Sequence, residues 1–121
     1  MKRRCVCGCG RKATQLHHVI YRQELRVWAY GRRRGGAIRG DDRREFGTLE
    51  KDRRNLVPVA HRCHQEHHTG ARRLGLLVLP DSVFEFAVGL MGAGPTYEYL
   101  RRRYAGDDPR LDALLEVADA A

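Results

Sequence analysis

Histidine placement constrains this chain more than any other feature. All six histidines fall in two clusters, His17 and His18, then His61, His64, His67 and His68. Neutral imidazole is the commonest metal ligand and the usual proton acceptor near pH 7. His64 and His68 stand four positions apart, so on a helix both rings project from one face and can grip one ion. His17 and His18 sit inside Thr14-Gln15-Leu16-His17-His18-Val19-Ile20-Tyr21, whose β-branched and aromatic content reads as a short strand. Neighbours on a strand point to opposite faces, so the two rings should do different jobs. One can hold a metal while the other stays free to take a proton from water.

The cysteines add a second constraint. Cys5, Cys7 and Cys9 lie in a Gly-rich turn and Cys63 lies inside the second histidine cluster. Thiols this crowded cannot form relaxed local bridges, and clustered thiols beside histidines more often ligate metal. A four-thiolate site from Cys5, Cys7, Cys9 and Cys63 is tight, and His61 could replace one thiolate.

Between these clusters the sequence punctuates itself. Arg22 to Tyr30 has a helical pattern with Leu25, Trp28 and Ala29 on one side, and Trp28 and Tyr30 serve core packing or base stacking. The Gly- and Arg-rich stretch from Gly31 through Asp42 reads as a mobile loop. Asn55 to Val59 is a second short strand, confined to an edge by Pro58. Arg62 to His68 reads as a helix closed by Gly70. Past the apolar run Leu74 to Leu79, three helical segments follow. Ser82 and Glu85 form a capping box and Gly92 ends the first segment. Pro95 takes the first position of the second, which carries Tyr97, Leu100 and Tyr104. Asp108-Pro109 starts the third, with Leu111, Leu114, Leu115 and Ala118. No chemistry is evident in this C-terminal part.

The chain of 121 residues carries a net charge of +8, unevenly spread. Residues 1–75 hold 19 Lys/Arg against 7 Asp/Glu, and residues 76–121 hold 4 against 8. A basic half points to a polyanionic partner, while the acidic half packs or docks. The length fits one compact domain with a thin core that a structural metal would help. No apolar run is long enough to span a membrane, and no apolar segment near the N-terminus suits export. The expectation is a cytoplasmic protein.

Leu16-His17-His18-Val19, Asp52-Arg53-Arg54-Asn55-Leu56-Val57-Pro58-Val59, and Cys63-His64 with His68 together resemble the HNH (ββα-metal) endonucleases. The likeness covers roughly residues 5–70, with His64 nine positions after Asn55. The Cys9-Gly10 lead-in is similar to the family's zinc-knuckle start, although Ala60 stands where many members begin a second Cys pair. The resemblance implies an α+β fold, with a ββα-metal core over 1–75, a zinc-knuckle-like N-terminus, and a C-terminal helical region over 76–121. It implies His18 as general base and His17, His64 and His68 as ligands of one divalent ion (Mg, Mn, Ni or Zn). His67 is the spare, or the alternative to His68. Asn55 would bond across to the His18 strand and orient its ring. Products would carry 5′-phosphate and 3′-hydroxyl ends. Arg32, Arg33, Arg34 and Arg39 would grip DNA phosphates without reading sequence. Free-standing members this small resemble those of bacteriophage genomes, some beside packaging genes, which implies terminase subunits as partners and the host cytoplasm as location. The rival expectation is a noncatalytic zinc module that binds nucleic acid or regulates a partner.

Overall fold

A computed structural model describes residues 3–31 and 40–120, apart from the side chains at 31, 40–42, 119 and 120. The fold is mixed α+β. Two short strands, β1 (Gln15–His18) and β2 (Leu56–Val59), pair antiparallel, with Gln15 opposite Val59 and His18 opposite Leu56. Among the described residues there are six α-helices: α1 (Arg22–Gly31), α2 (Gly40–Glu50), α3 (His61–Thr69), α4 (Asp81–Met91), α5 (Ala93–Arg103) and α6 (Pro109–Ala120). None is long and apolar enough to cross a membrane.

The strand pair is small but closely specified. Val57 and Val59 are buried and alternate with half-buried Leu56 and Pro58. Pro58 has no N–H to give, and its carbonyl instead accepts from Val6 N–H at 2.8 Å. That bond lays the N-terminal cysteine turn along the sheet. The turn closes on itself through Cys5 N–H to the Arg11 carbonyl at 2.9 Å. Gly8 and Gly10 adopt φ of 83° and 81°, a region in which a Cβ would be strained.

Helix α3 runs from His61 to Thr69, one residue longer at each end than the pattern suggests, and Gly70 caps it in the left-handed region. Beyond it, Leu76 N–H bonds to the Ala105 carbonyl and Ala105 N–H to the Leu74 carbonyl, each at 2.9 Å. This staple ties the end of α5 to the segment leaving α3. The hydrophobic core is one cluster, in which Val19, Ile20, Val57 and Val59 meet Leu76, Val83, Leu100 and Leu111.

Three local expectations are corrected. The stretch assigned to a loop through Asp42 already turns helical at Gly40, because Phe46 buries one face of α2 against Tyr30, with ring centroids 6.0 Å apart. Helix α4 starts at Asp81 behind extended Pro80, so Ser82 lies inside the helix and no side chain caps it. Pro95 occupies the third position of α5, not the first. The missing N–H costs nothing there, since the first-turn donors lack intrahelical partners. Asp108-Pro109 does open α6, with the Asp108 carboxylate accepting from Arg110 N–H at 2.8 Å.

Arg110 clamps the C-terminal helices together. It donates to the Leu76 and Leu79 carbonyls, pairs with Asp81 and with buried Asp108, and lies 4.2 Å from the centre of the Phe84 ring.

Candidate metal centre

Pairing with β2 turns His17 inward, where it is 1% exposed, against the face of α3 that carries His64 and His68. One nitrogen from each of the three lies within 4.8 Å of the others. The two Nε2 atoms of His64 and His68 are 2.8 Å apart. Two imidazole nitrogens at about 2.1 Å from one ion sit only slightly farther apart than that, so the set fits a divalent cation. The set also borders an open cleft. A cleft of about 270 Å³ is lined by Leu16, His17, His18, Tyr21, Arg22, His64 and His68.

Hydrogen bonds select the tautomers. The Tyr104 hydroxyl donates to the Val19 carbonyl at 2.6 Å, so its oxygen accepts from His17 Nε2–H at 2.8 Å. The lone pair of His17 is therefore on Nδ1. His64 Nδ1–H donates to the Gln15 amide oxygen at 2.7 Å, which leaves Nε2 as its lone-pair nitrogen. Burial favours the neutral rings. It lowers His17 to about 2, with the neighbouring histidines adding to the effect, and it lowers His64 and His68 as well. Neutral imidazole is the form a metal requires.

His67 is excluded as a ligand. Its Nδ1 accepts from Leu74 N–H at 3.0 Å, so Nε2 carries the proton and donates to the Tyr21 hydroxyl oxygen at 2.6 Å. With both nitrogens occupied it forms a wall of the site, and burial lowers its pKa to about 4.

His18 lines the same cleft from the end of β1, outside the triad. Its Nε2–H donates to the Glu50 carbonyl at 2.8 Å, so Nδ1 holds the free lone pair. Asn55, fully buried, accepts from Ile20 N–H at 2.7 Å and donates to the Ile20 carbonyl at 2.9 Å. Asn55 thus pins the backbone just beyond β1, and its side-chain hydrogen bonds go to Ile20 and not to the His18 ring. The Glu50 carbonyl, at the end of α2, orients that ring.

The four cysteines form a second group, all free thiols with sulfurs within 4.8 Å of one another. Cys5 and Cys7 are 3.3 Å apart, Cys7 and Cys63 3.5 Å, Cys9 and Cys63 3.7 Å. Sulfurs at about 2.3 Å around a tetrahedral zinc have nearly that separation. Burial pushes Cys7 up to about 12 and raises Cys63, while the Arg11 amide lowers exposed Cys9 to about 7. Cys7 and Cys63, both raised, keep their protons unless a cation offsets the charge. His61 is not needed there, since its Nδ1 accepts from the Gln15 amide N–H at 3.0 Å. Because Cys63 and His64 are adjacent on α3, one helix serves both groups.

Several contributors were not anticipated: Tyr104, which holds His17; Gln15, which holds His64; and Tyr21 with His67 behind them. Gln15 and Tyr21 flank the first histidine pair and could have been suspected from that alone. Tyr104 carries no local sign of its role. Trp28 donates to Glu24 at 3.1 Å and packs on the core, as does Tyr30. Arg32, Arg33, Arg34 and Arg39 lie outside the described residues. No protein-family model, curated protein or solved structure matches the chain.

Proposed function

We propose that the chain is a metal-dependent DNA endonuclease of the HNH, ββα-metal type, hydrolysing phosphodiester bonds with low sequence specificity. The observation that carries this reading is the convergence of three neutral histidines on one point, beside a fourth whose lone pair is free. A divalent ion held by His17, His64 and His68 would polarise the scissile phosphate and offset charge on the leaving 3′ oxygen. His18 Nδ1, its ring held by the Glu50 carbonyl, takes the proton of the attacking water. Asn55 keeps the end of β1 in place through both hydrogen bonds to Ile20, which sets where His18 stands. Tyr104 and Gln15 hold two ligand rings in the required tautomer. The cysteine group takes a structural zinc that anchors the start of α3. The basic N-terminal half supplies attraction for DNA. The phage setting, with terminase subunits as partners, rests on the family resemblance, and co-purification with a terminase tests it.

Plasmid cleavage tests the enzyme reading. Purified protein is incubated with EDTA, Mg²⁺, Mn²⁺, Ni²⁺ or Zn²⁺, beside His18→Ala. Nicking or linearisation that needs an ion and disappears in His18→Ala is the expected result. DNA binding without cleavage under any ion would instead favour a noncatalytic zinc module.

A further inference from the structure

A second cleft of about 300 Å³ adjoins the histidine site and is lined by Tyr21, His67, His68, Arg73, Arg102 and Arg103, with no acidic side chain. Its three arginines have no part in the machinery described above. The Arg103 guanidinium is clamped between two rings, its carbon 4.9 Å from the centre of Tyr21 and 4.8 Å from that of Tyr99. Its Nε is buried with no hydrogen-bond partner, and among the described residues no carboxylate pairs with Arg73, Arg102 or Arg103. Arg73 is oriented by donating to the Arg102 carbonyl at 2.8 Å. Elsewhere in the molecule a part-buried arginine is fully matched, as Arg110 is by Asp108 and Asp81. Three arginines lining one cleft without a carboxylate partner, one of them held against two rings, are complementary to an oxyanion.

We propose that this cleft seats a backbone phosphate of the bound nucleic acid, flanking the one cleaved at His17, His64 and His68. The proposal rests on the nuclease reading for the identity of the strand. Tyr21 and His68 line both clefts, and their rings are 5.1 Å apart. Because His17, His18 and His64 do not line the arginine cleft, the phosphate held there is not the reacting one. Phosphates of one strand succeed each other every ~3.4 Å along a duplex axis, so a strand lying in the first cleft brings another phosphate to the second within a few steps. Arg103 is then a positioning residue that sets which bond meets the ion.

The test pairs binding with hydrolysis, using zinc-replete protein with Mn²⁺. Binding of a fluorescein-labelled DNA duplex is measured against salt in a His18→Ala background, so that the duplex survives. The variants are Arg103→Met, which keeps the stacked stem, and exposed Arg73→Gln, which carries the same test if the first fails to fold. Arg101→Gln, on the same helix but stacked over Tyr97, is the control. Each cleft variant is expected to lower the slope of log K against log salt by about 0.9, and the control is not. In the His18 protein, Arg103→Met should slow plasmid cleavage while leaving hydrolysis of bis(p-nitrophenyl) phosphate, a diester with no flanking phosphate, at the wild-type rate. An unchanged slope, or an equal fall in Arg101→Gln, overturns the cleft. Equal loss on both substrates overturns the flanking assignment. Arg103-dependent binding with no hydrolysis of either substrate under any ion would retain the cleft and remove the nuclease.

Discussion

Tyr104→Phe removes one oxygen and leaves the ring volume unchanged. That oxygen accepts from His17 Nε2–H at 2.8 Å and donates to the Val19 carbonyl at 2.6 Å. His17, Val19 and Tyr104 are all buried, at 1%, 0% and 3% exposure, so water cannot replace the lost partner. Each orphaned buried group costs about 1–3 kcal/mol, and the pair together about 2–6 kcal/mol. For a chain of this length that lowers Tm by roughly 8–24 °C. The second consequence is chemical. Without the hydroxyl, nothing holds the His17 proton on Nε2, and molecules in the other tautomer present an N–H where the ion needs a lone pair. Loss of such an outer partner lowers metal affinity about 10–100-fold. Thermal unfolding of the metal-free protein, followed by circular dichroism, reads the first effect. Calorimetric titration with Mn²⁺ or Ni²⁺ reads the second. Wild-type ion affinity in the Phe variant would refute the tautomer argument however far Tm moved, and an unchanged Tm would refute the hydrogen-bond argument.

Three further outcomes follow from the geometry. In the metal-free protein burial holds His67 at about 4 and His17 at about 2, against 6.5 for an unperturbed ring; the unfolded chain therefore binds more protons below pH 6.5. Stability is complete above that value and falls as the pH drops toward 4 and beyond, by up to about 1.4 kcal/mol per pH unit for each ring, and a flat Tm between pH 7 and 5 would contradict this. Arg110→Met leaves the Asp108 carboxylate, 1% exposed, without its cation, and urea unfolding should show a loss somewhat below the ~3–5 kcal/mol of a fully buried pair, since Arg110 is 30% exposed, partly recovered by adding Asp108→Asn. Cys63→Ser should weaken the thiolate-to-cobalt absorption of the Co²⁺-substituted cysteine group at saturating Co²⁺ while Co²⁺ still binds the histidines; zinc affinity should fall by more than the ~10–100-fold that an outer partner costs.

Much of the local structure was legible because its signals are local. The i, i+4 spacing of His64 and His68 placed both on one face of α3, Gly70 and Gly92 marked helix ends, and Pro109 marked a helix start. The strand pair and the grouping of four cysteines were readable from residue type and spacing. Helix α2 was not, because a Gly- and Arg-rich lead-in masks the contact between Phe46 and Tyr30 that supports it. Asn55 was expected to bond across to the His18 strand; its partners are the Ile20 N–H and carbonyl just beyond that strand, since a buried amide goes to the nearest unpaired peptide group.

The sequence by itself determined which side chains could bind metal and which helices and strands would carry them. Periodicity and residue chemistry are properties of neighbours along the chain. Tertiary structure alone decided how those side chains are held. Tyr104 meets His17 only because the pairing of Ala105 with Leu74 and Leu76 brings the end of α5 back to β1. His67 became a wall, not a ligand, because Tyr21 and the Leu74 amide occupy both its nitrogens. Such contacts join residues far apart in sequence, where no local pattern marks them, and packing of the shared core sets their distance.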